Sequence, residues 1–399
     1  MHRRQFLNAA LAATGGLALA ASPFRVAFAD ARTDHRLVLV VLRGAMDGLG
    51  AVAPYADPDY RTIRGGLALA EPGQPDGVLD LDGHFGLHPA LAPIHGWWQE
   101  GGLLVAHAIA TPYRERSHFD AQDLLESGGN KPGRIDSGWL NRALGRLDGG
   151  GRGLGLALGQ GVPLVMRGTV PVASWAPSTL PEPTDDFLAR VMNLYEDDAV
   201  LGPALNAGLG IADMAQQASG IMPGKPRAKD RILLATTAGR MLADPAGPRV
   251  AVMDIQGWDT HVGQGAAKGR LANALGDLSD VLINLREGLG EAWGKSVVAV
   301  VTEFGRTVRP NGTNGTDHGT AGVAFLAGGA VEGGRVIGTW PGLREDKLYE
   351  NRDLAPTTDM RALLKGVLRD HMGVPASALD RQVFPDDSKV RALPDLIRA

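Results

Sequence analysis

The chain has 399 residues, a formal net charge of −4 and no cysteine. Without cysteine there is no disulfide, no thiolate metal site and no cysteine nucleophile. The acidic balance argues against a general nucleic-acid or anionic-membrane binder, which needs a basic face.

In chain order, the first segment reads as an export signal. Arg3 and Arg4 precede Gln5-Phe6-Leu7, no charge follows from Phe6 to Ala21, and Ala27-Phe28-Ala29 offers small residues where a signal peptidase reads them. The arginine pair before Phe-Leu has the form of a twin-arginine motif, which directs already folded proteins. The apolar run is about 16 residues, short of the roughly 20 that a membrane span needs. Residues 1–29 are therefore expected to be removed after passage through the twin-arginine translocase. The product is expected in the periplasm or outside the cell, with no stable membrane span. Cleavage leaves 370 residues with 37 basic and 44 acidic side chains. That length buries about three quarters of its unfolded surface in one or two cores. No long polar linker or fixed repeat divides it, so 30–399 reads as one domain.

Leu37 to Leu42 is a continuous apolar run, the mark of a strand buried on both faces. Residues 89–99 suit a helix with Pro89 early in it, and Leu103 to Ala106 a strand. Ser117, with Asp120 three residues on, stands before a helical stretch 118–127 in a capping-box-like start. Ser137 is placed to cap another helix through Leu147. The segment 184–245 reads as a mostly helical insertion. Arg249 to Asp254 is a strand, and 266–289 a long helix with Leu271, Leu275, Leu278, Leu282 and Leu285 on one face. Strands follow at Lys295 to Thr302 and Gly322 to Ala327, and a helix at 356–372. Solid Val/Leu strands separated by helices predict an α/β fold, a mostly parallel central sheet sandwiched between helices. Ligands of such sheets sit outside the carboxyl ends of the strands.

Residues capable of chemistry gather after those predicted ends. Asp47 follows the first strand, Asp259 and His261 follow the strand ending at Asp254, and Glu303 follows Thr302. Asp317 and His318 lie in a Gly/Asn/Thr loop before the next strand. Carboxylates and imidazoles at one sheet edge suit a hard or borderline divalent cation, with Zn, Mn, Ca and Mg all compatible. His84, His95, His107 and His371 read instead as surface or satisfied core histidines.

The ordered segments Arg43-Gly-Ala-Met-Asp47, Leu87-His-Pro-Ala-Leu91, Ser117-His-Phe-Asp-Ala-Gln122, Gly138-Trp-Leu-Asn-Arg142, Trp258-Asp-Thr-His261, Glu303-Phe-Gly-Arg-Thr307 and Gly315-Thr-Asp-His-Gly319 resemble domain-of-unknown-function family 1501. That family of exported bacterial proteins in turn resembles a remote branch of the alkaline phosphatase and sulfatase superfamily. The resemblance implies an alkaline-phosphatase-like fold and one or two divalent ions. It implies metal roles for Asp47, Asp259, His261, Glu303 and His318, with Asp317 beside them. Phe304 stands where the superfamily has a His, which leaves open whether a second ion is held. Ser117 resembles the nucleophile those enzymes place at a helix N-terminus, although an ordinary N-cap is the plainer role. His118 is a candidate ligand or general acid–base, and Arg306 a candidate stabiliser of equatorial oxygens.

The function expected on this basis is metal-dependent hydrolysis of a phosphate or sulfate ester, of small molecule or polymer. A single-metal hydrolase of another ester, or a non-catalytic binding or scaffold protein with a decayed site, are the alternatives.

Overall fold

The computed structural model describes residues 33–147, 153–177, 183–219, 230–385 and 387–398. The expected export signal at 1–29 lies outside the described residues. Alternation within the central strands sets the architecture. In β1 (Arg36–Arg43), Val38, Val40 and Leu42 enter one apolar cluster while Leu37, Leu39 and Val41 enter another. Successive side chains of a strand point to opposite faces, so a continuous Val/Leu run demands a core on both sides.

The other sheet strands are β2 (Leu103–Ala110), β3 (Gly155–Leu158), β4 (Ala173–Trp175), β5 (Val250–Gln256), β6 (Ser296–Thr302), β7 (Gly322–Ala327), β8 (Arg335–Ile337) and β9 (Thr358–Asp359). They form one sheet in the order β8-β2-β7-β6-β1-β5-β3-β4, with β9 also paired to β2. β1 pairs parallel with both β5 and β6, and β3 lies parallel to β5 and β4. β7 alone runs antiparallel, between β2 and β6. Hence β1, β2, β5 and β6 all end at one edge, and β7 starts there. The predicted mostly parallel sheet between helices is the observed one.

Helices cover both faces. On one side lie α1 (Ala92–Gln99) and α7 (Arg270–Leu289), whose five predicted leucines are all buried. On the other lie α3 (Trp139–Leu144) and α8 (Met360–Asp370). α2 (His118–Ser127) leads out of the functional edge of the sheet. The predominantly helical segment contains α4 (Asp185–Leu194), α5 (Leu201–Ser219) and α6 (Asp230–Ala243). α6 belongs to the core: Ala235, Ala238, Met241 and Leu242 are buried, and a Cβ on Gly239 would meet the Leu285 carbonyl at 2.6 Å. No described helix is long and apolar enough to cross a membrane.

Among the boundaries that differ from expectation, two have a specific cause. Ser137 does not cap α3; Gly138 holds that position, because a Cβ there would sit 2.1 Å from the Val165 carbonyl carbon. The Ser137 hydroxyl instead accepts from Arg142 Nη1 at 2.9 Å. The last helix begins at Met360, not 356, because Thr358 and Asp359 pair with β2 and Asp359 Oδ1 then accepts from the Arg361 N–H at 2.9 Å.

His107 and His371 are buried core histidines. His107 Nε2 donates to the Val52 carbonyl at 3.0 Å while its Nδ1 accepts from the Ala108 N–H at 2.9 Å. Burial lowers both residues to about 4. Each is neutral when folded and takes a proton more readily when unfolded, so its contribution is fully present above pH ~6.5 and is lost as pH falls towards 4. The upper bound for one such group is about 3 kcal/mol. Denaturant melts at stepped pH should show this decline, and His107→Gln, which keeps a donor for Val52, should make it shallower.

Candidate metal centre

Three loops at the shared strand edge carry the imidazoles. His118 opens α2 after β2, His261 follows β5, and His318 precedes β7. The His318 loop is pinned as a short extension of the sheet: Thr307 N–H donates to the Asp317 carbonyl at 2.9 Å and Gly319 N–H to the Gly305 carbonyl at 2.8 Å. Glycine is needed where this loop crosses the His261 loop. A Cβ on Gly315 would lie 2.1 Å from the His261 carbonyl oxygen. Gly44, at φ +115°, likewise lets the β1 turn pass within 2.6 Å of the Asp259 nitrogen, measured from its would-be Cβ.

Each ring has its Nδ1 on an oxygen that can only accept. His118 Nδ1 faces Glu303 Oε1 at 2.8 Å, His261 Nδ1 faces Asp317 Oδ1 at 3.0 Å, and His318 Nδ1 faces the Arg116 carbonyl at 2.9 Å. These partners assign the hydrogen to Nδ1 and leave a lone pair on every Nε2. His318 Nε2 then faces the Nε2 atoms of both other rings. His318 Nε2 lies 2.9 Å from that of His118 and 3.0 Å from that of His261. Asp259 completes the group, with Oδ1 at 3.0 Å from His261 Nε2 and 3.4 Å from His318 Nε2, and Oδ2 at 3.6 Å from His118 Nε2.

Facing lone pairs repel unless a proton or a cation lies between them. One proton between His118 and His318 relieves one contact and leaves the His261 lone pair unserved. A cation relieves all of them together. Ligands held tetrahedrally at zinc distances lie about 3.3 Å apart, and the spacings here bracket that value. Among the described residues, His118, Asp259 and His318 offer ligand atoms that all lie within 4.8 Å of one another, and His261 Nε2 adjoins that group through His318 Nε2 and Asp259 Oδ1, each at 3.0 Å. Imidazoles whose second nitrogen is bound to a carboxylate or carbonyl are the usual arrangement around a metal. The residues therefore fit a divalent ion.

Local charge follows from the same contacts. The Glu303 hydrogen bond raises the His118 pKa, while burial and the charge on His118 lower that of His318. Burial pushes the Glu303 carboxyl up, but hydrogen bonds from His118, Gln122 and the Gly44 N–H outweigh it and hold the group below its ordinary value. Burial likewise opposes ionisation of Asp259, and its contact with Arg306 prevails, lowering it.

Several expected roles change. Asp47 is not brought to the cluster. It is 1% exposed, ion-paired with Arg64, and accepts from Gln264 Nε2 at 2.6 Å and the Leu49 N–H at 3.2 Å. A carboxylate so neutralised has no free oxygen to offer a cation. Glu303 is fully buried, with Oε1 bonded to the Gly44 N–H, His118 and Gln122, and Oε2 to Thr302 Oγ1. It stands behind His118 rather than among the facing nitrogens. Asp317 stands in the same way behind His261. Arg306, expected to reach the substrate, is buried, with Nη1 on Asp259 Oδ1 at 2.6 Å and Nε on Thr316 Oγ1 at 3.1 Å. It is placed to orient Asp259. Ser117 occupies the N-cap position of α2, but its side chain makes no cap hydrogen bond; it interacts with the Tyr113 hydroxyl.

Sequence reasoning missed Gln122, Arg64, Gln264 and Thr316. Gln122 had a usable signal, its i, i+4 spacing from His118, which puts both on one helix face. Thr316 and Gln264 lie in the loops already singled out, beside Asp317 and after His261, but only the fold shows their bonds, and Arg64 is joined to the site by the fold alone. Phe304 stacks on His118 at 4.9 Å between centroids and packs against His318 at 5.2 Å.

In protein stripped with chelator, removing the charge behind His118 should lower its pKa. NMR titration of His118 in Glu303→Gln against wild type should show the shift downward, with little change at His371.

Several solved structures are similar in layout. The C-terminal periplasmic domain of EptC from Escherichia coli is 12% identical, with a TM-score of 0.36 over 88% of this chain and 87% of that one. A zinc complex of the same domain is 13% identical, with a TM-score of 0.34 over 74% and 73%. The phosphonate monoester hydrolase of Agrobacterium radiobacter is 11% identical, with a TM-score of 0.34 over 76% and 70%. No curated protein is similar enough to the chain to count as a match. The family described as "Protein of unknown function (DUF1501)" matches residues 83–383, three quarters of the sequence with His118, Asp259, His261 and His318 among them, and the chain belongs to that family.

Proposed function

We propose that the chain is an exported hydrolase of phosphate or sulfate esters that works with one divalent ion, held by His118, His261, His318 and Asp259. The observation that carries this reading is the convergence of three imidazole lone pairs within 3.0 Å steps, each ring fixed from behind by an oxygen acceptor. An ion of this kind supplies Lewis acidity towards an ester oxygen. The chain's own residues do the rest. Glu303, Asp317 and the Arg116 carbonyl orient the rings, and Arg306 keeps Asp259 ionised and turned towards them.

The cluster is open to substrate, since the Asp259 and His261 side chains are 43% and 40% exposed. Ser117 lies between Arg116, whose carbonyl takes His318 Nδ1, and His118 itself. Its hydroxyl is the candidate nucleophile, and water is the other. One ion rather than two is favoured because Asp47 is neutralised by Arg64 and Phe304 fills the space beside His118.

The test is elemental analysis of the mature protein after supplementation with divalent metals, beside His318→Ala. It is followed by turnover of aryl phosphates, aryl sulfates and carboxylate esters. Wild type should hold about one ion per chain. His318→Ala should bind it more than about 100-fold more weakly, beyond the 10–100-fold typical for losing an outer partner. Turnover should fall in step. Metal-free wild type after supplementation would instead support the binding or scaffold reading.

A further inference from the structure

Asp47 remains to be explained: a buried carboxylate at a strand end, off the cluster yet joined to it. Its Oδ2 accepts from Gln264 Nε2 at 2.6 Å. Gln264 Oε1 accepts from the Thr316 hydroxyl at 2.6 Å and from the Thr260 hydroxyl at 2.7 Å. Thr316 Oγ1 accepts from Arg306 Nε at 3.1 Å, and Arg306 Nη1 donates to Asp259 Oδ1 at 2.6 Å. Asp47, Gln264, Thr260, Thr316 and Arg306 are each no more than 1% exposed, so no water competes for these bonds.

The polarity of this chain has one solution. An ionised carboxylate only accepts, so Asp47 turns the Gln264 amide nitrogen towards itself and the amide oxygen towards Thr316. That oxygen only accepts, so the Thr316 hydroxyl hydrogen points to Gln264 and its lone pair points to Arg306 Nε. With Nε on this hydroxyl and Nη2 on the Thr316 carbonyl, the guanidinium is fixed in plane, with Nη1 on Asp259. Arg64, ion-paired with Asp47, holds the first member of the relay in place.

We infer that Asp47, Gln264 and Thr316 are positioning residues, a buried hydrogen-bond relay that sets the rotation of Asp259 through Arg306 and so the affinity of the centre for its divalent ion. This rests on the proposed metal centre. A relay of this kind acts through orientation, so its loss weakens ion binding by the roughly 10–100-fold typical of an outer partner, even where the fold is retained.

The test is the dissociation constant for Zn²⁺, read by competition with a chromophoric chelator. The full mature chain is compared as wild type, Thr316→Val and Thr316→Ser. Valine keeps the shape and removes the hydroxyl, and serine restores the hydroxyl. The expected result is at least tenfold weaker binding in Thr316→Val and near wild-type binding in Thr316→Ser, each with a cooperative melt. If Thr316→Val does not fold, Gln264→Met interrupts the relay one bond further out and takes its place. Binding within threefold of wild type in the folded variant, or loss in Thr316→Ser equal to that in Thr316→Val, overturns the relay and leaves the metal centre standing. Wild type that takes up no Zn²⁺ overturns the centre itself, and the relay with it.

Discussion

The Nδ1 hydrogens of His118, His261 and His318 are all committed to oxygens, and from that one constraint the character of the site follows. Had any ring been free to rotate, its Nε2 could turn to solvent and the crowding would vanish. Instead Glu303, Asp317 and the Arg116 carbonyl hold the three lone pairs against one another. A buried charge such as Glu303 is normally costly. Here three donors offset that cost, and all three come from segments that the sheet brings to one edge.

That edge exists because strands β1, β2, β5 and β6 run the same way and β7 runs back. The reversal matters: it lets the Asp317-His318 loop return beside Glu303 and Arg306, so that one short connection supplies both a ring and its neighbours' partners. Glycines at 44 and 315 let the loops approach at distances no Cβ would permit. Two buried guanidinium–carboxylate pairs, Arg64 with Asp47 and Arg306 with Asp259, then neutralise the charge beneath the surface. Only Asp259 of those four residues reaches solvent, and it is the one facing the imidazoles.

Much of the fold was legible because apolar periodicity is a strong signal. The solid runs at 37–42 and 295–302 needed two cores, and the leucine spacing in 271–285 needed one face. The rule that ligands sit beyond strand ends led to the loops that carry the histidine cluster. Chain position alone did not separate a residue that faces the cluster from one that stands a hydrogen bond behind it. Asp47, Glu303 and Asp317 have the right type in the right loop, but their partners decide their roles. Arg64 comes from a separate segment with no local pattern, and Gln264, three residues after His261, carries no signal that it turns inward to Asp47. His118 was legible as a candidate, while its place beside His318 required the turn before α2, which propensity does not encode.

The most direct measurement is X-ray absorption at the zinc edge on the metal-loaded mature protein, paired with anomalous diffraction from its crystals. The account predicts one ion with three nitrogen ligands and carboxylate oxygen at about 2.0–2.2 Å, its anomalous peak between His118, His261, His318 and Asp259. An ion bound by Asp47 or Glu303, or a peak away from the three imidazoles, would contradict it.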